Sequence, residues 1–146
     1  MQAFKIDNFL QANPGSSPPK FVHLTDAEAT QLLKGLLLQA GPPMGTHEEK
    51  IRWLSERATL LADVNLERDE LALRLLFKEL RISPGPGLYL QWGALRDVDR
   101  FQTEELDKYF YDVWYPVADD IEIFDDTLAW MIFVRHYGVV EIWRRS

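Results

Sequence analysis

Six carboxylates form the densest polar group of the sequence, and no lysine or arginine lies among them: Asp112, Asp119, Asp120, Glu122, Asp125 and Asp126. Paired carboxylates can act as general acid and base, because one raises the pKa of the other, or they can bind a divalent cation through oxygen. An EF-hand is excluded, since residues 119–126 have a strand pattern and contain no glycine. Solvated edge-strand carboxylates, a surface for a basic protein, and a catalytic or metal site remain open.

The other reactive residue types form no recognised motif. The chain has no cysteine, which excludes disulfides, thiol nucleophiles and thiolate metal ligands. His23, His47 and His136 are far apart, and none belongs to a His-x-x-x-His pair. The Gly85-x-Gly87 pair is not followed by a helix that could hold a phosphate, and no serine lies in a nucleophile-elbow pattern. We therefore expect no cofactor, no metal ion and no enzymatic activity.

The net charge of the chain is unevenly distributed. The 146 residues carry a formal charge of -7, which argues against a protein that binds nucleic acid phosphates. Residues 87–146 contain six basic and twelve acidic side chains, so they hold all but one of the excess negative charges. A locally negative field accelerates encounter with a positive partner, and this bias predicts a binding face in the second half.

The tyrosines and tryptophans are concentrated in the same half, where all five tyrosines and four of the five tryptophans lie. Both residue types are frequent interface anchors. Helix and strand patterns place Trp114 and Trp130 in the core, which leaves Tyr111, Tyr115 and Tyr137 as candidate anchors. The predicted partner-binding surface combines these tyrosines with an electrostatic rim of Asp119, Asp120, Glu122, Asp125 and Asp126.

Residues 1–86 are predicted to be mainly helical. A short helix over residues 6–12 precedes a loop, and Thr25 begins a capping box whose helix runs to about Gln39 and stops at 41–43. A second capping box begins at Thr46, and its helix continues to about Val64. Asn65 can cap a third amphipathic helix, which gives an array of about three helices.

Residues 87–146 are predicted to form a roughly four-stranded antiparallel sheet, with one helix inserted after its first strand. The predicted strands cover 88–92, 120–124, 128–135 and 139–143, and the helix begins at Thr103. Alternating acidic and apolar residues predict an exposed strand at 120–124, whereas the continuous apolar run at 128–134 predicts a covered one. The whole chain is expected to be a single α+β domain.

The second half of the sheet region also resembles a known group of proteins. The runs at 111–116 and 119–125, followed by Trp130, His136 and Gly138, resemble the C-terminal part of small bacterial α+β immunity proteins of polymorphic or contact-dependent toxin systems. The resemblance implies a non-enzymatic inhibitor that covers the active or substrate site of one cognate toxin domain. The acidic bias suits a basic nuclease toxin as that partner.

Two other functions are kept as alternatives. One is a small carboxylate- or metal-dependent enzyme that uses Asp119, Asp120 or Asp126 with His136. The other is a structural or regulatory homodimer that pairs through a flat sheet face, formed by Met131, Phe133 and Trp143. The protein is thus expected to be a monomer or a homodimer. The absence of a signal-peptide pattern and of a long apolar run predicts a cytoplasmic protein without a membrane partner.

Overall fold

An antiparallel sheet forms the centre of the fold. The structure is a computed structural model that describes residues 1–40, 44–93 and 97–146. Its strands are β1 (Phe21–His23), β2 (Thr59–Asn65), β3 (Gly87–Trp92), β4 (Val98–Gln102), β5 (Ile121–Asp125), β6 (Trp130–Val134) and β7 (Val139–Arg144). They lie in the order β1-β4-β3-β5-β6-β7-β2, so β5 is the central strand and β1 and β2 are the edges.

Helices cover both faces of this sheet. They are α1 (Ala3–Ala12), α2 (Asp26–Ala40), α3 (His47–Glu56), α4 (Leu66–Asp69), α5 (Leu73–Glu79) and α6 (Thr103–Val113). On the first face, α4, α5 and α6 pack over alternate strand residues such as Leu90, Ile123 and Ile132. On the second face, α2 and α3 pack over the other set, which includes Phe124 and Phe133. Within the described residues, no helix has the length and apolar character needed to cross a membrane.

Side-chain caps fix where the predicted helices begin. The Thr25 amide donates to Glu28 Oε2 at 2.8 Å, and the Glu28 amide donates back to Thr25 Oγ1 at 3.2 Å. The same reciprocal pair joins Thr46 and Glu49 at the start of α3. Asn65 Oδ1 accepts from the Arg68 amide at 3.0 Å and caps α4. The three predicted helix starts are therefore confirmed, whereas the predicted stop at 41–43 lies outside the described residues.

The prediction of a three-helix array followed by a four-stranded sheet is wrong. The first half supplies β1 and β2, which are the two edges of a seven-stranded sheet, and the second half adds an unpredicted strand, β4, between its first predicted strand and the helix. Residues 59–64 were expected to be helical because their leucines and Val64 also fit a helical stripe. The strand that they form pairs with β7 only at Thr59, Leu60 and Asn65, with an irregular register between, so no alternating strand pattern marks it.

Two further strand predictions have opposite outcomes. Residues 120–124 were expected to have one wet face, but every residue of β5 is buried, because β3 and β6 flank it and helices cover both faces. The continuous apolar run was expected to be covered on both faces, and every residue of β6 is indeed buried. The homodimer alternative loses its surface, since Met131, Phe133 and Trp143 are buried beneath α2 and α3.

Candidate functional site

The structure divides the acidic cluster into buried and exposed members. Asp119, Glu122 and Asp125 are buried, while Asp126 is exposed and Asp120 is half-buried. A solvated rim made of all five predicted carboxylates is therefore excluded. The buried members have hydrogen-bond partners on distant segments of the chain, which account for their burial.

Asp119 closes a buried cage around Lys5. The Lys5 ammonium donates to Asp119 Oδ2 and, at 2.6 Å, to the carbonyl oxygen of Val113. It also lies 4.2 Å from the ring centre of Trp92 and 4.5 Å from that of Tyr115. Burial lowers the pKa of Lys5, and the hydrogen bond to Asp119 opposes that effect. We call these five residues the Lys5 cage; it anchors α1 to the sheet.

Asp125 and Glu122 are also held inside the chain. Asp125 accepts hydrogen bonds from the backbone amides of Gly85 and Thr127, each at 3.0 Å. It thereby ties the loop before β3 to the turn after β5. Glu122 Oε2 accepts from Gln91 Nε2 at 3.1 Å on the adjacent strand. These contacts explain why strand carboxylates that looked solvent-facing in sequence are turned inward.

The two less buried carboxylates lie at opposite ends of β5. Asp126 accepts from the Tyr89 hydroxyl at 2.7 Å, and burial together with this carboxylate raises the pKa of Tyr89. Asp120 instead contacts His136. At 3.3 Å per residue, Asp120 and Asp126 lie about 20 Å apart along the strand. Of the pairs named in the enzyme alternative, Asp120 and His136 are thus in contact, whereas Asp119 is engaged by Lys5 and Asp126 lies at the far end of β5.

Tyr111 serves as an internal strut. Its hydroxyl donates to the carbonyl oxygen of Leu71 at 2.7 Å and lies 3.3 Å from that of Leu66. Burial, with smaller contributions from Glu70 and Asp69, raises the pKa of Tyr111 to about 12. The half-buried ring thus joins α6 to the link between α4 and α5. Its ring and hydroxyl are therefore committed to the fold.

Tyr115 and Tyr137 lie on or beside two hydrogen-bonded turns, whose outward side chains, with Phe4, we call the Val117 surface: Phe4, Tyr115, Val117, His136 and Tyr137. Val117 is 76% exposed, Tyr137 53% and Phe4 51%. The rings of Phe4 and Tyr115 meet edge to face with centres 6.0 Å apart, and those of His136 and Tyr137 do so at 5.0 Å. Apolar side chains are therefore presented to solvent beside two of the three predicted anchors.

Two interlocked turns hold this surface in shape. The Val117 amide donates to the carbonyl oxygen of His136, which joins the turn after α6 to the turn between β6 and β7. Asp120 Oδ1 accepts from the His136 amide at 2.7 Å and lies 2.9 Å from His136 Nδ1. Gly138 has φ +88 and leaves no room for a Cβ, which would collide with Asn65 Oδ1. The turns are therefore fixed by polar contacts while their apolar side chains remain free.

Val117 adopts a backbone conformation that its side chain disfavours. Its φ is 73°, in the left-handed region, where a β-branched residue is a genuine outlier. Such conformations cost on the order of 1–3 kcal/mol and cluster at binding and active sites. The turn thus holds an exposed valine in a strained position, which the hydrogen bond from the Val117 amide to His136 maintains.

Comparison with known proteins gives no assignment. Neither the family models nor the curated proteins nor the solved structures include a match to this chain. The resemblance of residues 111–138 to immunity proteins accordingly stays a prediction. Function must be inferred from the residues and their geometry.

Two residues of the Val117 surface have no sequence pattern that indicates their role. In the sequence, Val117 looks like any core valine. Its strained φ depends on the contact with His136, which lies on a distant segment. Phe4 lies in a short N-terminal helix whose buried side is formed by Lys5 and Phe9. The amphipathic pattern of residues 3–12 would place Phe4 inside and Lys5 in solvent, but Lys5 is buried and Phe4 is exposed.

A second group of polar side chains lies apart from the Val117 surface. His23 on β1 faces Asp99 on β4, and Asp97 lies beside them. One ligand atom from each of the three lies within 4.8 Å of the others, and no other such group was found in the described part of the chain. These residues could hold a metal ion, although the sequence predicted none, since His23 lies more than 70 residues from both carboxylates.

Proposed function

We propose that this chain is a non-enzymatic binding protein that engages a basic protein partner through the Val117 surface. The observation that carries the proposal is Val117 itself, a strained valine whose side chain is presented to solvent. A conformation that destabilises the fold and exposes an apolar group is expected where a partner covers it. Tyr115 and Tyr137 flank it as aromatic anchors.

The charge around this surface favours a basic partner over a second copy of the chain. Of the six acidic residues between Lys108 and Arg135, three are buried in internal contacts and Asp126 lies at the far end of β5. Asp120 lies at the surface itself, next to His136. Two copies meeting through this face would bring like charges together, whereas a cationic partner would be attracted and oriented.

The specific form of the proposal is an immunity-type inhibitor. A small acidic protein with a preformed apolar surface and a carboxylate beside it, here Asp120, can cover the positively charged substrate site of a nuclease toxin. Inhibition of this kind needs no catalytic group in the inhibitor. It accords with carboxylates that are either engaged in internal contacts or placed at opposite ends of β5.

The first experiment compares partner capture by matched variants of the full chain. Immobilised wild-type protein is exposed to lysate of the source cell, and the retained protein is identified and purified. Val117→Asn removes the apolar group from the surface, and asparagine tolerates the φ at that position. The control, Leu38→Asn, removes an apolar side chain that is 72% exposed on α2, outside the Val117 surface. We expect Val117→Asn to weaken partner affinity at least tenfold and Leu38→Asn to leave it unchanged.

A second comparison addresses the charge. Asp120→Asn is expected to slow association at low salt, and Asp126→Asn, at the far end of β5, is expected not to. A partner retained equally by wild type and Val117→Asn contradicts the proposed surface. Equal association rates for the two aspartate variants contradict the basic partner.

The inhibitor form is tested by co-expression. If the captured protein is toxic, co-expression of the wild-type chain must restore growth, and toxicity that persists rules the inhibitor form out.

A further inference from the structure

The group formed by His23, Asp97 and Asp99 lies on a rigid pair of strands. His23 and Asp99 are direct cross-strand partners on β1 and β4. Backbone bonds at 3.0 Å from Leu24 to Val98 and from Trp92 to Asp97 fix the chain on both sides of the group. Asp97 directly precedes β4, two residues before Asp99, and its Oδ1 lies 3.7 Å from His23 Nδ1. Three oxygen or nitrogen ligands are thus held on ordered backbone.

Two distances within the group lie close to those around one small cation, and the carboxylate oxygens of Asp97 and Asp99 lie within 4.8 Å of each other. His23 Nδ1 lies 2.8 Å from Asp99 Oδ1 and 3.7 Å from Asp97 Oδ1. With metal–ligand bonds of about 2.1 Å, ligand atoms at angles of 90–120° on one ion lie about 3.0–3.6 Å apart. Shifts of a few tenths of an ångström would bring both distances into that range. The group therefore needs little rearrangement to bind an ion.

The surroundings leave one side of the group open. Asp99 is fully buried, and its Oδ2 accepts from Trp92 Nε1 at 2.8 Å and contacts the Met1 ammonium. These contacts orient the carboxylate so that Oδ1 faces His23. His23 is exposed and Asp97 partly so, which leaves space for water on the outer side of an ion. Three protein ligands with the remaining positions open to water is a common arrangement at zinc sites.

The second histidine–aspartate contact in the described chain provides a contrast. His136 Nδ1 lies 2.9 Å from Asp120 Oδ1, nearly the distance found between His23 and Asp99. Only the His23 group, however, adds a third ligand among the described residues. A simple hydrogen bond accounts for the His136 pair, whereas His23 Nδ1 has a second carboxylate oxygen, that of Asp97, at 3.7 Å.

We propose that His23, Asp97 and Asp99 bind a divalent transition-metal ion of the zinc class. The imidazole nitrogen favours zinc, nickel or cobalt over calcium and magnesium, which prefer oxygen ligands alone. The ion would join β1, an edge strand of three residues, to β4. It therefore stabilises this edge of the sheet in addition to the backbone pairing.

The test is zinc titration of the full chain without an affinity tag, after treatment with a chelator. Calorimetry is expected to give one Zn²⁺ per chain for the wild type, and thermal unfolding is expected to shift upward as zinc is added. His23→Gln and Asp97→Asn change side chains that reach solvent, so both variants should fold, and each should weaken zinc binding at least tenfold. His136→Gln is the matched control and should bind zinc as the wild type does.

Several results would overturn the proposal. Absence of a binding heat at millimolar zinc means that the group is only a hydrogen-bonded cluster. Equal zinc affinity of His23→Gln and wild type places the ion elsewhere, as does a loss in His136→Gln. Calcium binding as tight as zinc binding would indicate carboxylate ligands without the imidazole. The zinc measurements involve no partner protein, so none of these results tests the binding role proposed for the Val117 surface.

Discussion

Tyr115 separates two regions of opposite character. On its inner side the Lys5 cage is buried, and its charged and hydrogen-bonding groups have partners. On its outer side the Val117 surface exposes apolar side chains on a turn with a strained φ. Both regions draw on one short segment, residues 113–119, so local composition does not explain the difference. What differs is whether the contacts are satisfied within the chain.

This contrast implies that stability and binding can be changed separately. Substitutions in the Lys5 cage should affect the free energy of unfolding, because internal contacts are lost. Substitutions on the Val117 surface should leave the fold intact or strengthen it, and they should act on the partner. If substitutions on the Val117 surface changed neither stability nor partner binding, the two regions would not differ in this way.

The largest expected effect comes from Lys5→Met. Methionine retains the length of the side chain and its contact with Trp92 and Tyr115, but it leaves the buried Asp119 carboxylate without its cation. Removal of one member of a buried ion pair costs about 3–5 kcal/mol. We expect urea unfolding, followed by tryptophan fluorescence, to show a loss of about 3 kcal/mol.

The double variant Lys5→Met/Asp119→Asn is the control for this prediction. It removes both charges, and the amide oxygen of the substituted side chain can still accept from the Tyr115 backbone amide, as the carboxylate does. Replacement of a whole buried pair by neutral groups is often close to neutral, so about 2 kcal/mol of the loss should be recovered. A double variant no more stable than Lys5→Met would show that the ammonium acts through its other contacts instead.

The next effect has the opposite sign. Val117→Asn replaces a β-branched residue at φ 73° by one that tolerates the left-handed region, and it should raise the free energy of unfolding by about 1 kcal/mol. The same variant is expected to lose affinity for the partner. Urea unfolding of Val117→Asn and of Leu38→Asn side by side measures the effect. Equal stability changes in the two would mean that φ at Val117 is not strained.

The smallest effect concerns Asp112, near the end of α6. Burial raises the pKa of its carboxyl group in the folded chain. The folded state therefore holds the proton at pH values where the unfolded state has released it, so the wild type gains stability as pH falls through the raised pKa. Asp112→Asn should be slightly more stable than wild type at pH 7, and the difference should vanish below about pH 3.

The check on Asp112 is a series of urea unfolding curves from pH 7 to pH 3. Asp7→Asn, on the exposed side of α1, removes the same formal charge and serves as the comparison. If Asp7→Asn stabilises the chain as much, the effect reflects the net charge of -7 rather than burial of one carboxyl.

Sequence patterns predicted the elements that local signals define. The capping residues at Thr25, Thr46 and Asn65 marked three helix starts, because their hydrogen bonds are formed within a few residues. Most strands after residue 87 were found from their apolar and aromatic runs. β1, β2 and β4 were missed: β1 has only three residues, the register of β2 is irregular, and the acidic and basic residues of β4 resemble those of a loop.

Sequence patterns also indicated some residues of the candidate binding surface and missed those that depend on long-range contacts. Tyr115, Tyr137 and Asp120 were selected as exposed aromatic and acidic residues, and the structure places them on one surface. Glu122 and Asp125 were misassigned because the inference that acidic strand residues face water ignores their partners on distant segments. The φ of Val117 and the group around His23 depend on pairings that no local pattern encodes.

The position of β1 and β2 at the sheet edges also affects how the chain folds during synthesis. Both pair with strands about 80 residues later in the sequence, β1 with β4 and β2 with β7. At the usual rate of translation, roughly 4–16 s separate the synthesis of each edge strand from that of its partner. The helices of the first half can form early, but they have no sheet to pack against until the second half emerges. Assembly of this fold is therefore expected to be late and concerted, with two unpaired strands exposed to chaperones in the interval.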